Sequence, residues 1–203
     1  MTKNEPRDKR VGQLIEAAVA EFAEKGFENA AMDSIARRAG LTKGGLYHHF
    51  SSKDALLLAA NELFMAPLHD MMARAVAAPS PMDGLTGFLA GYFAYWQQRP
   101  EYLVCISLTL TKSLKEPDWW PAMGGYVDEM THFYQDLLDR AVAAGEIGPG
   151  DNRARATTLL GAADGLAAYV CMDAVPDPQT SAEMLCRTLA CTPPSSEGDR
   201  ANA

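Results

Sequence analysis

The chain has no apolar run approaching the ~18 residues that a membrane-spanning helix requires. Its polar opening, Met1 to Arg10, has none of the apolar core of a secretion signal, so a cytoplasmic protein with no membrane partner is expected. Cysteine is scarce. Cys105, Cys171, Cys186 and Cys191 fit no metal-type spacing, and reduced, mostly buried thiols are expected, with Cys186 and Cys191 the nearest pair for any redox switch. Groups able to do chemistry are equally sparse. His69-Asp70, and His132 near Asp128 and Glu129, are the titratable neighbours, and no Ser or Cys nucleophile is visibly paired with a base. His132 and Asp128 are i, i+4 on a helix, which is too few ligands for a metal. These absences argue against an enzyme and call for no metal or cofactor. No repeat is evident and no stretch argues for a sheet.

Positive charge is also in short supply, since the net charge is −8. The deficit is unevenly placed. Residues 1–54 hold nine Lys/Arg against eight Asp/Glu, leaving +1, while the other 149 residues hold nine against eighteen. The acidic excess is thus kept mainly out of the N-terminal quarter, as suits a chain whose first part meets a polyanion. A +1 head is weakly basic, so affinity would have to come from paired heads and well-placed phosphate contacts.

What is present centres on the stretch from Ile35 to Phe50. Its first half reads as a short helix closed by Gly40, a residue free to take the left-handed conformation. Thr42 is a good N-cap for a second helix, and Ala36 is small enough for the two helices to cross closely. Two short helices joined by a glycine-containing turn make a helix-turn-helix. Projected at about 100° per residue, Leu46, His49 and Phe50 share the packing side. Gly44 and His48 point away, Gly45 and Tyr47 flank them, and Lys43 sits at the exposed start. Paired glycines cost roughly 1 kcal/mol each in a helix. On a recognition helix they let the backbone approach bases or phosphates while Lys43 and Tyr47 reach past.

The ordered series Phe22-Ala-Glu-Lys-Gly26-Phe27, Ile35-Ala36, Ala39-Gly40, Gly45-Leu46-Tyr47-His48-His49-Phe50 and Lys53-Asp54-Ala55-Leu56 resembles the DNA-binding region of the tetracycline-repressor (TetR) family. The likeness runs from about Arg10 to Phe64. It implies a DNA-reading surface made by Thr42, Lys43, Gly44, Gly45, Tyr47 and His48, with Lys53 on a phosphate. Members often have Thr or Ser where this chain has Ala31, so no contact is carried over there.

Along the chain, helix one is expected from Asp8 to Lys25, on the stripe Val11, Leu14, Ile15, Ala18, Phe22, with Gly26 ending it and Phe27 folding back. Helix two follows over Met32–Ala39 and helix three over Lys43–Phe50. Ser51 and Asp54 form a capping box for a long fourth helix, which Pro67 should kink or break. A fifth helix carries Leu85, Phe88, Leu89, Tyr92, Phe93 and Trp96. A nearly all-apolar sixth, Glu101 to Leu114, should be central. A seventh, Trp119–Ala144, has an irregularity at Gly124-Gly125 and stops at Gly145. Asp151 caps an eighth, and a ninth runs over Gln179–Ala190.

Thirteen of the seventeen aromatics follow residue 60, more than a small bundle needs for packing. An apolar pocket for a flat or greasy small-molecule effector is the natural reading, with Phe64, Phe88, Tyr92, Trp96, Trp119, Tyr126, Phe133 and Tyr169 as candidates. An aromatic box with Asp128 or Glu129 could suit a cation. The small residues Gly161, Ala162, Gly165 and Ala168 would let a partner helix approach closely, and the resemblance implies a homodimer through such helices. The fold class expected is all-α, of about nine helices. Residues 1–52 form a helix-turn-helix DNA-binding domain, 53–191 a ligand-binding and dimerisation body, and 192–203 a disordered tail. The function implied is a transcriptional repressor on a palindromic double-stranded operator. An activator of the same fold, and a helical small-molecule carrier that has lost DNA binding, are the alternatives.

Overall fold

The computed structural model describes residues 7–116, 118–119 and 122–190; the expected tail at 192–203 lies outside them. Among the described residues there are nine helices and no strand. They are α1 (Arg7–Asn29), α2 (Met32–Arg38), α3 (Lys43–Tyr47), α4 (Lys53–Val76), α5 (Pro81–Gln98), α6 (Pro100–Lys115), α7 (Ala122–Ala143), α8 (Asn152–Cys171) and α9 (Pro178–Ala190). They pack as two compact units. Among the described residues, one gathers those up to Pro67 with those from Arg99 to Trp119; the other takes Leu68–Gln98 and those from Ala122 to Ala190.

In the first unit, α1 packs against α2 and α6 through Leu14, Ile15, Ala18 and Phe22, all buried. At Gly26 the backbone turns to φ 73, ψ 164, dividing α1 where the sequence places its end. Phe27 folds back onto Phe22 with ring centroids 5.4 Å apart, the apolar contact that accompanies such a stop. Two sequence expectations are corrected here. The α4 cap is Ser52, whose Oγ accepts from the Ala55 N–H at 3.1 Å. Asp54 pairs with Lys112 of α6 instead of completing a capping box with Ser51. Helix α6 is also not central. Tyr102, Cys105 and Thr109 are buried, while Val104, Leu110 and Leu114 are exposed, the last at 85%. Composition made α6 look like core, but only one of its faces has a helix to meet. On that face Thr109 accepts from Asn61 Nδ2 at 2.7 Å. Burial, with the Glu101 charge second, pushes the Cys105 thiol up to about 12 and leaves it inert.

In the second unit, α5 buries Leu85, Phe88, Leu89, Tyr92, Phe93 and Trp96 against α7, α8 and α9. Gly145 ends α7 one residue beyond its last turn, at φ 72, and no interruption occurs at Gly124-Gly125. The Asp151 carboxylate accepts from the Ala154 N–H at 2.9 Å to cap α8. Helix α4 is not broken at Pro67 but continues to Val76, and the packing passes from one unit to the other at that residue.

Gly84 is required by contact. A Cβ there would lie 2.3 Å from the Ala75 carbonyl oxygen, a backbone atom that cannot swing aside. We expect Gly84→Ala to destabilise the protein by about 1–3 kcal/mol, despite alanine's better helix propensity. A thermal melt with an unchanged or raised midpoint would show that α4 and α5 do not cross this closely.

Candidate functional site

Helix α3 has only five residues and is held by its surroundings. Gly40 takes φ 69, and the Leu41 N–H donates to the Ala36 carbonyl at 2.8 Å, which turns the chain between α2 and α3. Thr42 Oγ1 accepts from the Gly45 N–H at 3.2 Å. Leu46 is fully buried beside Ile35 and Ala36, and Phe50 closes the underside. Thr42, Lys43, Gly44, Tyr47 and His48 are left exposed and Gly45 half-buried. A Cβ at Gly44 would meet nothing, whereas one at Gly45 would touch Thr42 Oγ1 at 3.4 Å. Gly44 therefore bares backbone outward, and Gly45 backs onto the cap. His48 and His49 follow in a turn, so the helical part is shorter than expected from the sequence.

The electrostatics of this face include one residue the sequence reading missed. Lys43 Nζ lies 2.9 Å from Asp33 Oδ1, both groups largely exposed. That hydrogen bond holds the Lys43 ammonium above the ordinary lysine range, with the Asp33 charge contributing second. Asp33 stands in the first turn of α2, where the helix dipole favours an acid. This is also where Ala31 offers no side-chain cap. An acid two residues past a capping position that lacks a hydroxyl was the available signal.

Arg38 is committed elsewhere. It donates to Glu24 at 2.9 Å and lies 3.5 Å from the buried Glu21 carboxylate. Lys25, chiefly through its hydrogen bond, holds Glu21 below the usual carboxylate range, aided by Ser34 and Arg38 against the cost of burial. Lys53 faces α1: its ammonium donates to the carbonyls of Phe27 at 2.6 Å and Glu28 at 3.0 Å. The position marked for a phosphate thus also closes the end of α1.

The aromatic candidates are divided between the two units. Phe64 stacks on Tyr102 at 3.9 Å, and Trp119 lies 4.7 Å from Lys112 Nζ, both in the first. In the second, Phe88 meets Phe133 at 4.8 Å and Tyr92 at 6.0 Å. Tyr92 meets Trp96 at 5.8 Å, and Tyr126 belongs to the same unit. Tyr134, absent from the sequence candidates, joins through Phe88 and Phe133. Tyr169 is 55% exposed and does not line this cluster.

The carboxylate inside the cluster is Asp164, not Asp128 or Glu129, which are exposed. Asp164 Oδ1 accepts from the Tyr92 hydroxyl at 2.7 Å. Burial raises its pKa, and the Tyr92 hydrogen bond only partly offsets that. Burial and then the Asp164 charge push the hydroxyls of Tyr92 and Tyr126 upward. A lone acid among the small residues of α8 was the sequence signal. The histidines stand apart from this cluster. His132 Nδ1 is 2.7 Å from the Asp128 carbonyl, and His69 lies 3.6 Å from Glu129. Among the described residues no group of three His, Cys, Asp or Glu could hold a metal.

On α8, Gly161 and Gly165 are exposed, Ala162 and Ala168 half-buried, and a Cβ at either glycine would meet nothing. Gly161, Gly165, Ala168 and Met172 fall within one narrow stripe of the helix. Tyr169 and the 69%-exposed Met172 add apolar area there.

Asp164 yields a sign-definite expectation. Its folded pKa exceeds the unfolded value, so the native state holds the proton more tightly. The resulting stability is full below the unfolded pKa and is lost as pH rises through the folded one. Asp164→Asn, still able to accept from Tyr92, should melt higher than the parent at neutral pH, with the gain vanishing in acid. Melting temperatures that differ by a constant amount across pH would mean Asp164 titrates like a surface acid.

Residues 14–60 match the family model for "Bacterial regulatory proteins, tetR family". Over 54 residues the chain is 56% identical to the HTH-type transcriptional activator FasR of Mycolicibacterium smegmatis, spanning 27% of this chain and 25% of that one. It is 28% identical to the HTH-type transcriptional repressor KstR2 of the same organism over 73% of this chain and 72% of that one. The chain thus spans a quarter of one of these relatives and nearly three-quarters of the other. Transcriptional regulator FadR from Bacillus subtilis, solved in complex with stearoyl-CoA, superposes with a TM-score of 0.70 at 20% identity, covering 89% of this chain and 97% of that one. No described helix is long and apolar enough to cross a membrane. The head at residues 14–60 is thus that of the tetR family of bacterial regulatory proteins, and the all-helical fold of the chain is shared with FadR.

Proposed function

We propose that this chain is a homodimeric transcriptional repressor that binds a palindromic operator and is released by a small apolar or aromatic effector. The observation that carries the reading is the α3 surface. Thr42, Lys43, Gly44, Tyr47 and His48 face outward together, while Leu46 beneath them is sealed in the core. Base edges would be met by Tyr47 and His48, phosphates by Lys43 and the bare backbone at Gly44. The α8 stripe at Gly161, Gly165 and Ala168 is the proposed dimer seam, and twofold pairing sets two heads on two half-sites. The effector would occupy the apolar side of the second unit near Phe88, Tyr92, Trp96 and Phe133, as stearoyl-CoA's presence in the FadR complex accords with an apolar effector. Its binding would bias α4, and a hundredfold loss of operator affinity needs about 2.7 kcal/mol of coupling. An activator is the second reading, favoured by the 56% identity of the head to a protein named as one.

Selection from a random duplex library should return a two-fold-symmetric motif; a folded, ligand-free dimer that enriches nothing would overturn the reading. On the selected site, Lys43→Ala should weaken binding and lower the slope of log affinity against log salt by about 1, leaving the sedimentation of the dimer unchanged. Asp33→Asn should act oppositely, tightening binding roughly threefold at low salt because Lys43 no longer leaves a carboxylate to reach a phosphate. Fluorescence anisotropy across a salt series reads both variants. Equal effects of the two, or none, would remove Lys43 from the interface.

A further inference from the structure

The second unit carries an open groove of about 310 Å³ whose floor is a lane of glycines on α5, Gly84, Gly87 and Gly91, with Phe88 beside it. Two of these glycines have neighbours: Gly84 meets the Ala75 backbone, and a Cβ at Gly91 would lie 3.5 Å from Met71 Sδ. Gly87 has none, since a Cβ there would meet nothing within 4 Å. A glycine inside a helix costs about 1 kcal/mol relative to alanine, and packing gives no return for it here. What the missing side chain does is keep the groove open.

The walls are apolar, from Phe88, Met71, Ala75 and Ala78, and two charged residues line the groove, Arg74 and Asp83. Asp83 lies in the first turn of α5, where the helix dipole favours an acid. Arg74 has a long side chain, is exposed, and makes no hydrogen bond or ion pair among the described residues. Its planar fork is suited to a carboxylate or phosphate.

We propose that this groove binds a small anionic amphiphile, its apolar tail lying over Gly87 against Phe88 and its anionic group paired with Arg74. The proposal deepens the effector reading and rests on it, by assigning the effector an anionic end and a seat on the glycine lane.

The test uses the full chain without DNA, so failure of the site is read separately from failure of operator release. Octanoate is the probe and octyltrimethylammonium its cationic counterpart of equal chain length, both followed by isothermal titration calorimetry. Octanoate should bind, and the cation more weakly or not at all. Arg74→Gln should weaken octanoate by about tenfold, the scale of a lost charge-assisted hydrogen bond. Asp83→Asn should strengthen it roughly twofold by removing a like charge. Gly87→Leu should abolish binding while melting no lower than the parent, because its side chain enters open groove and replaces a helix-weakening glycine. Preference for the cation, inverted signs at Arg74 and Asp83, or no binding of either probe would overturn the proposal. So would dissociation of the dimer by Gly87→Leu, which would make the groove a contact between copies of this chain. If octanoate binds as described but leaves operator affinity unchanged, the site stands and its role as effector site falls.

Discussion

A helix of five residues cannot sustain itself in water. Nucleation fixes several residues for a single hydrogen bond, and isolated helices shorter than ~12 residues are marginal even with ideal sequences. Helix α3 also carries two adjacent glycines, the worst helix formers after proline. It exists because Leu46 is driven into the core with Ile35, because Thr42 caps it, and because Gly40 turns the chain at a positive φ. Every outward-facing group on α3 inherits its position from these three supports. The proposed reading of DNA is therefore a property of the whole head, and damage to the core beneath α3 would mimic loss of a contact above it.

The charges of the head fall into two classes with different work. Glu21, Lys25, Glu24 and Arg38 form a network joining α1 to α2 around a buried carboxylate. Removing one partner would strand a buried charge, so these groups hold the fold and are poorly placed to reach a ligand. Lys43 and Asp33 are both exposed, their pairing is worth little, and it is easily exchanged. Lys43 is thus the group whose partner could be exchanged for another anion without cost to the fold.

The helical plan was legible because its signals are local. Gly26, Gly40 and Gly145 mark their stops by left-handed backbone, and Thr42 and Asp151 announce helix starts by accepting a backbone hydrogen bond. The failures were of another kind. Ser51 and Ser52 are chemically equivalent caps, and only the folded chain shows that Ser52 serves while Asp54 turns to Lys112. An apolar composition did not reveal that α6 has a neighbour on only one face. The aromatic candidates rest on their number after residue 60, which cannot assign Phe64 and Trp119 to one packing unit and Phe88 and Phe133 to the other. Asp164 was overlooked because an acid on an apolar helix reads as ordinary until its burial beside Tyr92 is known.

The chain passes between its two packing units three times, after Pro67, after Gln98 and before Ala122. The second crossing falls at Arg99, where the backbone leaves helical geometry at φ −138, ψ 56 before α6 begins. The third precedes the start of α7. Only the first lies inside a continuous helix, since α4 runs from Lys53 to Val76. A segment out of helical geometry absorbs a displacement through its own dihedrals, whereas a helix carries it along its axis. Within α4, Pro67 is the position with no N–H to donate to the residue four before it, so bending costs least at the unit boundary itself. If an effector in the second unit is to change what α3 presents, α4 is the one continuous helix among the described residues that belongs to both units.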